Sequence, residues 1–468
     1  MILRLALKTL LLHPVRAAVL CVGFGLGVAV MASLLGVGEV VLEQARAPAL
    51  AGGGDLVVTG AGTPLTSARF VVGTLQREAA GRASTAVASP RRRADLFLVR
   101  DGHTVPIRGR GGIPSLERAL GDPETSSSAA WVDTPADAAW ASPDPGDALR
   151  AMDCFHPIPD VPARAGSWAE WLYFKGFAPR DNLQFYCTFL VGPARADGRR
   201  VAGVRLQLDR GGVLQTFSDS DAVDERALLA SAPDITIGKS RVRLDGLRYV
   251  VSLDLAGPPK GGHDVRNAAT AEILVDAVPG RSLPPIVIRG AGGWLSGYTV
   301  PVMSARLGGW IEAAGTRTAL EGTAYHDHNW GFWQRVSWRW GQVQHEGLSY
   351  LYGRVFPPSD AADPERIPGF LVALGPDGPV GYSTRVRIDE TDDPAAGRPR
   401  RIVVTGRGAS IDLRMDIEVE GAIVTRGGAL ANGPDFLQLR ARYHVSGRAG
   451  DQSVDFTAPG AAETFRGR

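Results

Sequence analysis

The sequence predicts a mainly β protein: two tandem antiparallel β-barrels behind one N-terminal transmembrane helix and a small mixed α/β module. Three observations carry that expectation. In the C-terminal half Ile411, Leu413, Met415, Ile417 and Val419 alternate with Asp412, Arg414, Asp416 and Glu418, the pattern of a half-buried antiparallel strand. No long helical periodicity follows residue 230, and 58 glycines and 32 prolines supply the turns that many short strands need. Residues 17–38, AAVLCVGFGLGVAVMASLLGVG, are 22 consecutive uncharged positions, enough for one bilayer crossing.

Residues 1–16 carry Arg4, Lys8 and Arg16, whereas Glu39 and Glu43 follow the apolar run. The positive-inside rule therefore sets the N-terminus in the cytoplasm and the body outside. A cleaved signal peptide is the rival, with Ala49-Leu50-Ala51 as its small-residue site; the apolar run is longer than an h-region and ends well before that site.

Residues 39–120 read as the mixed module. A helical pattern over 66–80 places Phe70, Val71 and Leu75 on one side, and Asp95–Val99 and Thr104–Arg108 flank an Asp101-Gly102 turn, a hairpin signal. Arg91, Arg92 and Arg93 read as a solvated basic loop. Residues 121–165, rich in Pro, Ala, Asp and Ser without periodicity, read as a linker.

From residue 166 the chain is strand after strand. Val204, Leu206 and Leu208 alternate with Arg205, Gln207 and Asp209; Asp245-Gly246 and Pro376-Asp377-Gly378 mark hairpins; Leu437, Leu439, Ala441, Tyr443 and Val445 repeat the alternation. Roughly 300 residues of strand exceed one small barrel, so two are expected, 166–300 and 301–468, meeting near Pro285 to Gly309. Of three cysteines, Cys21 lies in the apolar run, leaving Cys154 and Cys187 as the only pair that could bridge; no disulfide framework or zinc spacing results.

The stretch with most chemistry is 322–342, GTAYHDHNWGFWQRVSWRWGQ, which holds four of the ten tryptophans. On an extended strand Tyr325, Asp327 and Asn329 share one face, and His326, His328, Trp330 and Phe332 the other. Ionisable groups among aromatics must be hydrogen-bonded or pay desolvation. The composition fits a functional site and a polar core equally. His326 and His328, with His345 from the next strand, share the spacing of metal ligands, but no acidic or cysteine ligand stands at a matching position; no metal and no cofactor are expected. Trp171 and Tyr173 share a face of an earlier strand, as core or as pocket lining.

YHDHNWG, with WRWGQ behind it, GGWLSGYTVP before it and EWLYF upstream, resembles the AttH-like and carotenoid 1,2-hydratase (CrtC) family over about Trp168 to the C-terminus. The resemblance implies a double lipocalin-like fold with a ligand pocket in or between the barrels. Its enzyme branch adds water across an isolated double bond of an acyclic isoprenoid. That implies Asp327 as the acid, with Tyr325 and Asn329 on its face, His326 and His328 beside it, and Trp171, Tyr173, Trp330, Trp333, Trp338, Trp340 and His345 about the ligand. The paired histidines are closer to the AttH-like branch.

LHPVRA and GGGDLVVTG also resemble the opening of MacB/FtsX-type ABC transporter permeases over residues 1–120, although no further apolar span follows. This resemblance implies ABC transporter subunits as neighbours and a bacterial inner-membrane location with a periplasmic body.

A net charge of +2 gives no electrostatic footprint for nucleic acid. There is no phosphate loop and no Gly-x-Ser-x-Gly elbow. The leading expectation is a membrane-anchored protein binding an apolar lipid or isoprenoid. The alternatives are a hydratase using Asp327, and a structural adaptor whose barrels would be filled with side chains.

Overall fold

The computed structural model describes residues 87–465, apart from 101–102, 123–124, 126–129, 142–143, 256–267, 377 and 426–435, together with scattered positions between 12 and 31. Most of the expected membrane segment 17–38, and the helix expected over 66–80, lie outside these. No helix among the described residues is long and apolar enough to cross a membrane.

Two units divide the chain, one ending at Ala141 and one beginning at Ser142. In the first, strands β1 (Arg91–Arg100) and β2 (His103–Gly112) form an antiparallel hairpin whose register closes on Arg100 and His103. The turn expected at Asp101-Gly102 lies outside the described residues, between these two strands. Arg91 to Arg93 open β1 rather than form a loop, because the buried carboxylate of Glu117, on helix α1 (Pro114–Ala119), accepts Arg91 at 2.8 Å. Helix α2 (Pro135–Ala141) ends the unit.

The second unit begins with helix α3 (Pro145–Met152). Asp144 caps it, accepting from the backbone of Gly146 and Asp147 at 2.8 and 3.1 Å, and Pro145 takes the first-turn position where a missing N–H costs nothing. The linker expected over 121–165 is thereby corrected. Composition suggested a spacer, but Leu149 and Phe155 are buried in the first core.

Twelve strands make the first sheet: β3 (Trp168–Ala178), β4 (Leu183–Ala194), β5 (Arg199–Arg210), β6 (Val213–Asp224), β7 (Ile235–Ile237), β8 (Ser240–Asp245), β9 (Arg248–Leu255), β10 (Ala269–Ala277), β11 (Leu283–Arg289), β12 (Leu295–Ala313), β13 (Thr316–Ala319) and β14 (Gly322–Phe332). Nine make the second: β15 (Ser337–His345), β16 (Leu348–Phe356), β17 (Phe370–Gly375), β18 (Gly378–Ser383), β19 (Arg385–Asp393), β20 (Arg398–Arg407), β21 (Ile411–Thr425), β22 (Phe436–Ala449) and β23 (Gln452–Phe465). All pairings are antiparallel, and helix α4 (Glu225–Ser231) follows β6.

The mainly β class therefore holds, as two large curled sheets, each wrapped about its own apolar core. The edge strands β6 and β7 touch without hydrogen-bonding. The junction expected at 300/301 falls inside β12, a 19-residue strand. The first sheet runs on to Phe332 because β14 pairs with both β12 and β3 and so joins its two halves. Cys154 and Cys187 are both free thiols, the first exposed and the second buried inside β4.

Candidate functional site

Strand β14 lies between a cavity and a polar core, and its period of two sorts the side chains between them. On the cavity face Asp327 stands opposite Tyr173, and Asn329 opposite Trp171, across β3. On the other face His326 stands opposite Phe174 and stacks on its ring at 4.2 Å.

The cavity, of about 1040 Å³, lies between the two sheets and not inside either. Trp171, Tyr173, Ile286, Ile288, Tyr298, Asp327 and Asn329 line it from the first sheet; Trp338, Trp340, Phe370, Phe436, Glu463 and Phe465 from the second. Cross-sheet hydrogen bonds hold its walls. Lys175 Nζ donates to Gln342 Oε1 at 2.9 Å, Gln438 Nε2 to the Tyr173 hydroxyl at 3.2 Å and Trp340 Nε1 to the Tyr298 hydroxyl at 2.9 Å.

Asp327 ends a directed chain. Trp340 Nε1 can only donate, so Tyr298 accepts; the Tyr325 hydroxyl gives its one proton to Asp327 Oδ2 at 2.8 Å, so Tyr298 donates to Tyr325, also at 2.8 Å. Asn329 Nδ2 donates to Asp327 Oδ1 at 2.8 Å. Burial, reinforced by the nearby Glu463 carboxyl, pushes Asp327 well above the ordinary carboxylate range despite these donors. Each oxygen has spent one lone pair on the chain, leaving the other to carry the acid proton.

Glu463 is also raised, to about 7, chiefly by burial. Trp338 Nε1 approaches its Oε2 at 3.4 Å, while Oε1 has no partner in the structure. Burial lowers Lys175 to about 7 against the opposing pull of Glu463.

The far face of β14 holds a different assembly. His326 Nδ1 lies 3.0 Å from the Tyr173 carbonyl and its Nε2 2.8 Å from Asp153 Oδ2, which also accepts from the Tyr249 hydroxyl at 2.5 Å. His328 Nε2 lies 2.9 Å from Glu170 Oε1, and its Nδ1 3.4 Å from Asp153 Oδ1. Burial opposes the charge on His328, yet the Asp153 and Glu170 carboxylates beside it outweigh burial and raise the imidazole to about 9. Asp153 and Glu170 are depressed by these histidines in spite of burial. His156 Nδ1 is 2.8 Å from Glu170 Oε1, and its ring stacks on Trp330 at 4.3 Å.

His156, Glu170 and His328 are the one group among the described residues with ligand atoms close enough for a metal, all within 4.8 Å. Their 2.8 and 2.9 Å separations are hydrogen-bond distances, and the three side chains form one network with Asp153 and His326.

Of the residues singled out in the sequence, Trp171, Tyr173, Asp327, Asn329, Trp333, Trp338 and Trp340 line the cavity, and Tyr325 supports Asp327 from behind. Four residues that the resemblance set about the acid or the ligand lie away from the cavity. His326 and His328 belong to the far face, as does Trp330, whose ring turns to His156. His345, at the end of β15, stacks on Phe456 at 4.2 Å, away from the cavity. Asp153, His156, Glu170, Tyr298 and Glu463 were missed. The Asp144-Pro145 helix start would have flagged the helix that delivers Asp153, whereas Glu463, in an unremarkable AAETF strand, left no signal.

Trp330 is held by a glycine. Gly297, its cross-strand partner on β12, lies beneath the indole, and a Cβ added there would sit inside the ring. Gly297→Ala should lose about 1–3 kcal/mol, read by urea denaturation, with the tryptophan emission shifted as Trp330 leaves His156.

No family model matches the chain, and no curated protein does. Among solved structures it is similar to an AttH candidate from Nitrosomonas europaea, at 17% identity over 66% of this chain and 99% of that one, TM-score 0.43. It is likewise similar to kievitone hydratase from Nectria haematococca, at 14% over 68% and 94%, TM-score 0.44. CghA with Sch210972 gives 12% over 68% and 95%, TM-score 0.44.

Proposed function

We propose that this protein binds an apolar small molecule between its two sheets and catalyses hydration or dehydration on it by acid–base transfer. One observation carries the reading: Asp327, a carboxyl that burial pushes well above the ordinary carboxylate range, faces an apolar cavity of about 1040 Å³. In the hydration direction the Asp327 proton goes to one carbon of a double bond. The faces of Trp171, Trp338 and Trp340 steady the cation left on the other carbon. Water attacks that carbon and its proton passes to Glu463; return of the proton to Asp327 completes the cycle. Dehydration runs the same steps backwards. Simple carriage of the ligand is the second reading, favoured by the cavity being apolar on both walls. Each sheet is filled by its own core, as the adaptor reading expects, but that reading gives no role to the cavity between them.

With this goes a placement we also propose, a single-pass anchor at 17–38, an inner-membrane location and a periplasmic body, supported by the uncharged run and its flanking charges. Work beside ABC transporter subunits is supported by the permease-like opening alone. The ligand class proposed, a lipid or isoprenoid, is supported by the apolar walls.

The deciding experiment is native mass spectrometry of the full chain from its own host, with solvent extraction of what it holds. An apolar molecule released in near-equal molar ratio, which gains or loses one water on return to the protein, supports the enzyme. A molecule that is bound and returned unchanged leaves carriage; a clean apo mass that no lipid or isoprenoid alters removes both. For hydration kcat/KM should rise with pH through about 7 as Glu463 ionises, and for dehydration it should fall through the same range; Glu463→Gln should flatten that limb. A wild-type profile already flat between about pH 5 and 9 takes Glu463 out of the role.

A further inference from the structure

Arg205, Gln207 and Asp209 share one face of β5, and the last two find partners on the second sheet. Asp209 pairs with Arg440 at 3.2 Å, and Gln207 Nε2 donates to Thr425 Oγ1 at 3.1 Å. Arg205, two residues on, lines the cavity instead and has no hydrogen bond or ion pair among the described residues. The other two arginines lining it are paired with carboxylates: Arg339 with Glu390 at 2.8 Å and Arg354 with Glu365 at 3.2 Å. Burial lowers Arg205 from the usual guanidinium range with no neighbouring anion to offset it.

Its position is asymmetric. Arg205 pairs across the ladder with Ser218, and the cavity residues Val201, Ser218 and Ser220 on these two strands are exposed. Asp327 lies on the same sheet, three strands away along the cross-strand row Arg205, Thr188, Tyr173, Asp327, and is buried, at 4% exposure. A guanidinium fork at a wet mouth and an acid in a dry interior suit a molecule with two unlike ends.

We infer that the ligand is an amphipath carrying one carboxylate or phosphate, bound by Arg205 at the mouth, with its apolar chain reaching Asp327. This rests on the cavity being the binding site. It makes Arg205 a binding and orienting residue, which fixes how deep the chain penetrates and so which carbon meets the acid.

Trp171, Trp338 and Trp340 line the cavity, so tryptophan emission of the full chain reports its occupancy. Titration with decanoate, decyl phosphate and decanol separates head-group from chain. At least one anionic amphipath should bind roughly tenfold or more tighter than decanol, and Arg205→Gln should erase that preference while leaving decanol affinity unchanged. Preference for decanoate alone would identify a carboxylate, and for decyl phosphate a phosphate. Equal affinity for all three in the wild type overturns the Arg205 inference but leaves the cavity reading standing, as does a preference that survives Arg205→Gln. No binding of any of them overturns both.

Discussion

Asp327→Asn should reduce turnover by about 10²- to 10⁴-fold, the range for removing a general acid, while ligand affinity stays within a factor of about three and the fold is not weakened. The last expectation distinguishes the chemical role from a structural one. Asn keeps the shape and still accepts from Asn329, and the Tyr298–Tyr325 pair can reverse to accept from the new amide. A carboxyl whose folded pKa is raised works against stability above the unfolded value near 4, and more so as pH climbs toward the folded one. Removing it should therefore leave stability at pH 7 to 8 equal or higher, within about 1 kcal/mol. Urea melts beside steady-state kinetics on the extracted ligand decide the matter. A variant that turns over normally excludes Asp327 as the acid; one that loses activity and stability together marks a pin between strands.

How much of this was legible in the sequence depends on how local its physics is. Strict alternation placed Asp327 and Asn329 on one face of β14 and His326 and His328 on the other, and the structure keeps that division. Which face met a cavity was not legible, because both are buried and both carry ionisable groups; only the pairing of β14 with β3 and the approach of β15 decide it. Glu463 lies 136 residues from Asp327 by their numbers, and no short-range pattern links them. The junction of the sheets was misplaced for a related reason: β12 and β14 carry the same alternation as their neighbours, and alternation says nothing about which sheet a strand joins. The segment before β3 was misread because composition outweighed a cap. Asp144-Pro145 is a helix start, and the helix brings Asp153 under β14.

His328→Leu should cost about 3–5 kcal/mol at pH 6, the typical loss when one partner leaves a buried ion pair. The far face of β14 sets two carboxylates, Asp153 and Glu170, against His328 and the fully buried Arg200, whose Nη1 donates to the His156 carbonyl at 3.2 Å. Leucine fills the space but strands the carboxylates without their nearer cation. The pH dependence is specific. Because the folded His328 is raised to about 9 from 6.5, its stabilisation is complete below about pH 6.5 and is lost as pH rises through 9. That shift is equivalent to about 3 kcal/mol, so the deficit of the variant should shrink by that much between pH 6 and about 9.5, where wild type has lost the same charge. Denaturant melts of both proteins across the range test this. A deficit constant with pH would mean that His328 contributes packing alone; one that closes as expected identifies the network as the electrostatic footing on which β14 holds Asp327 to the cavity.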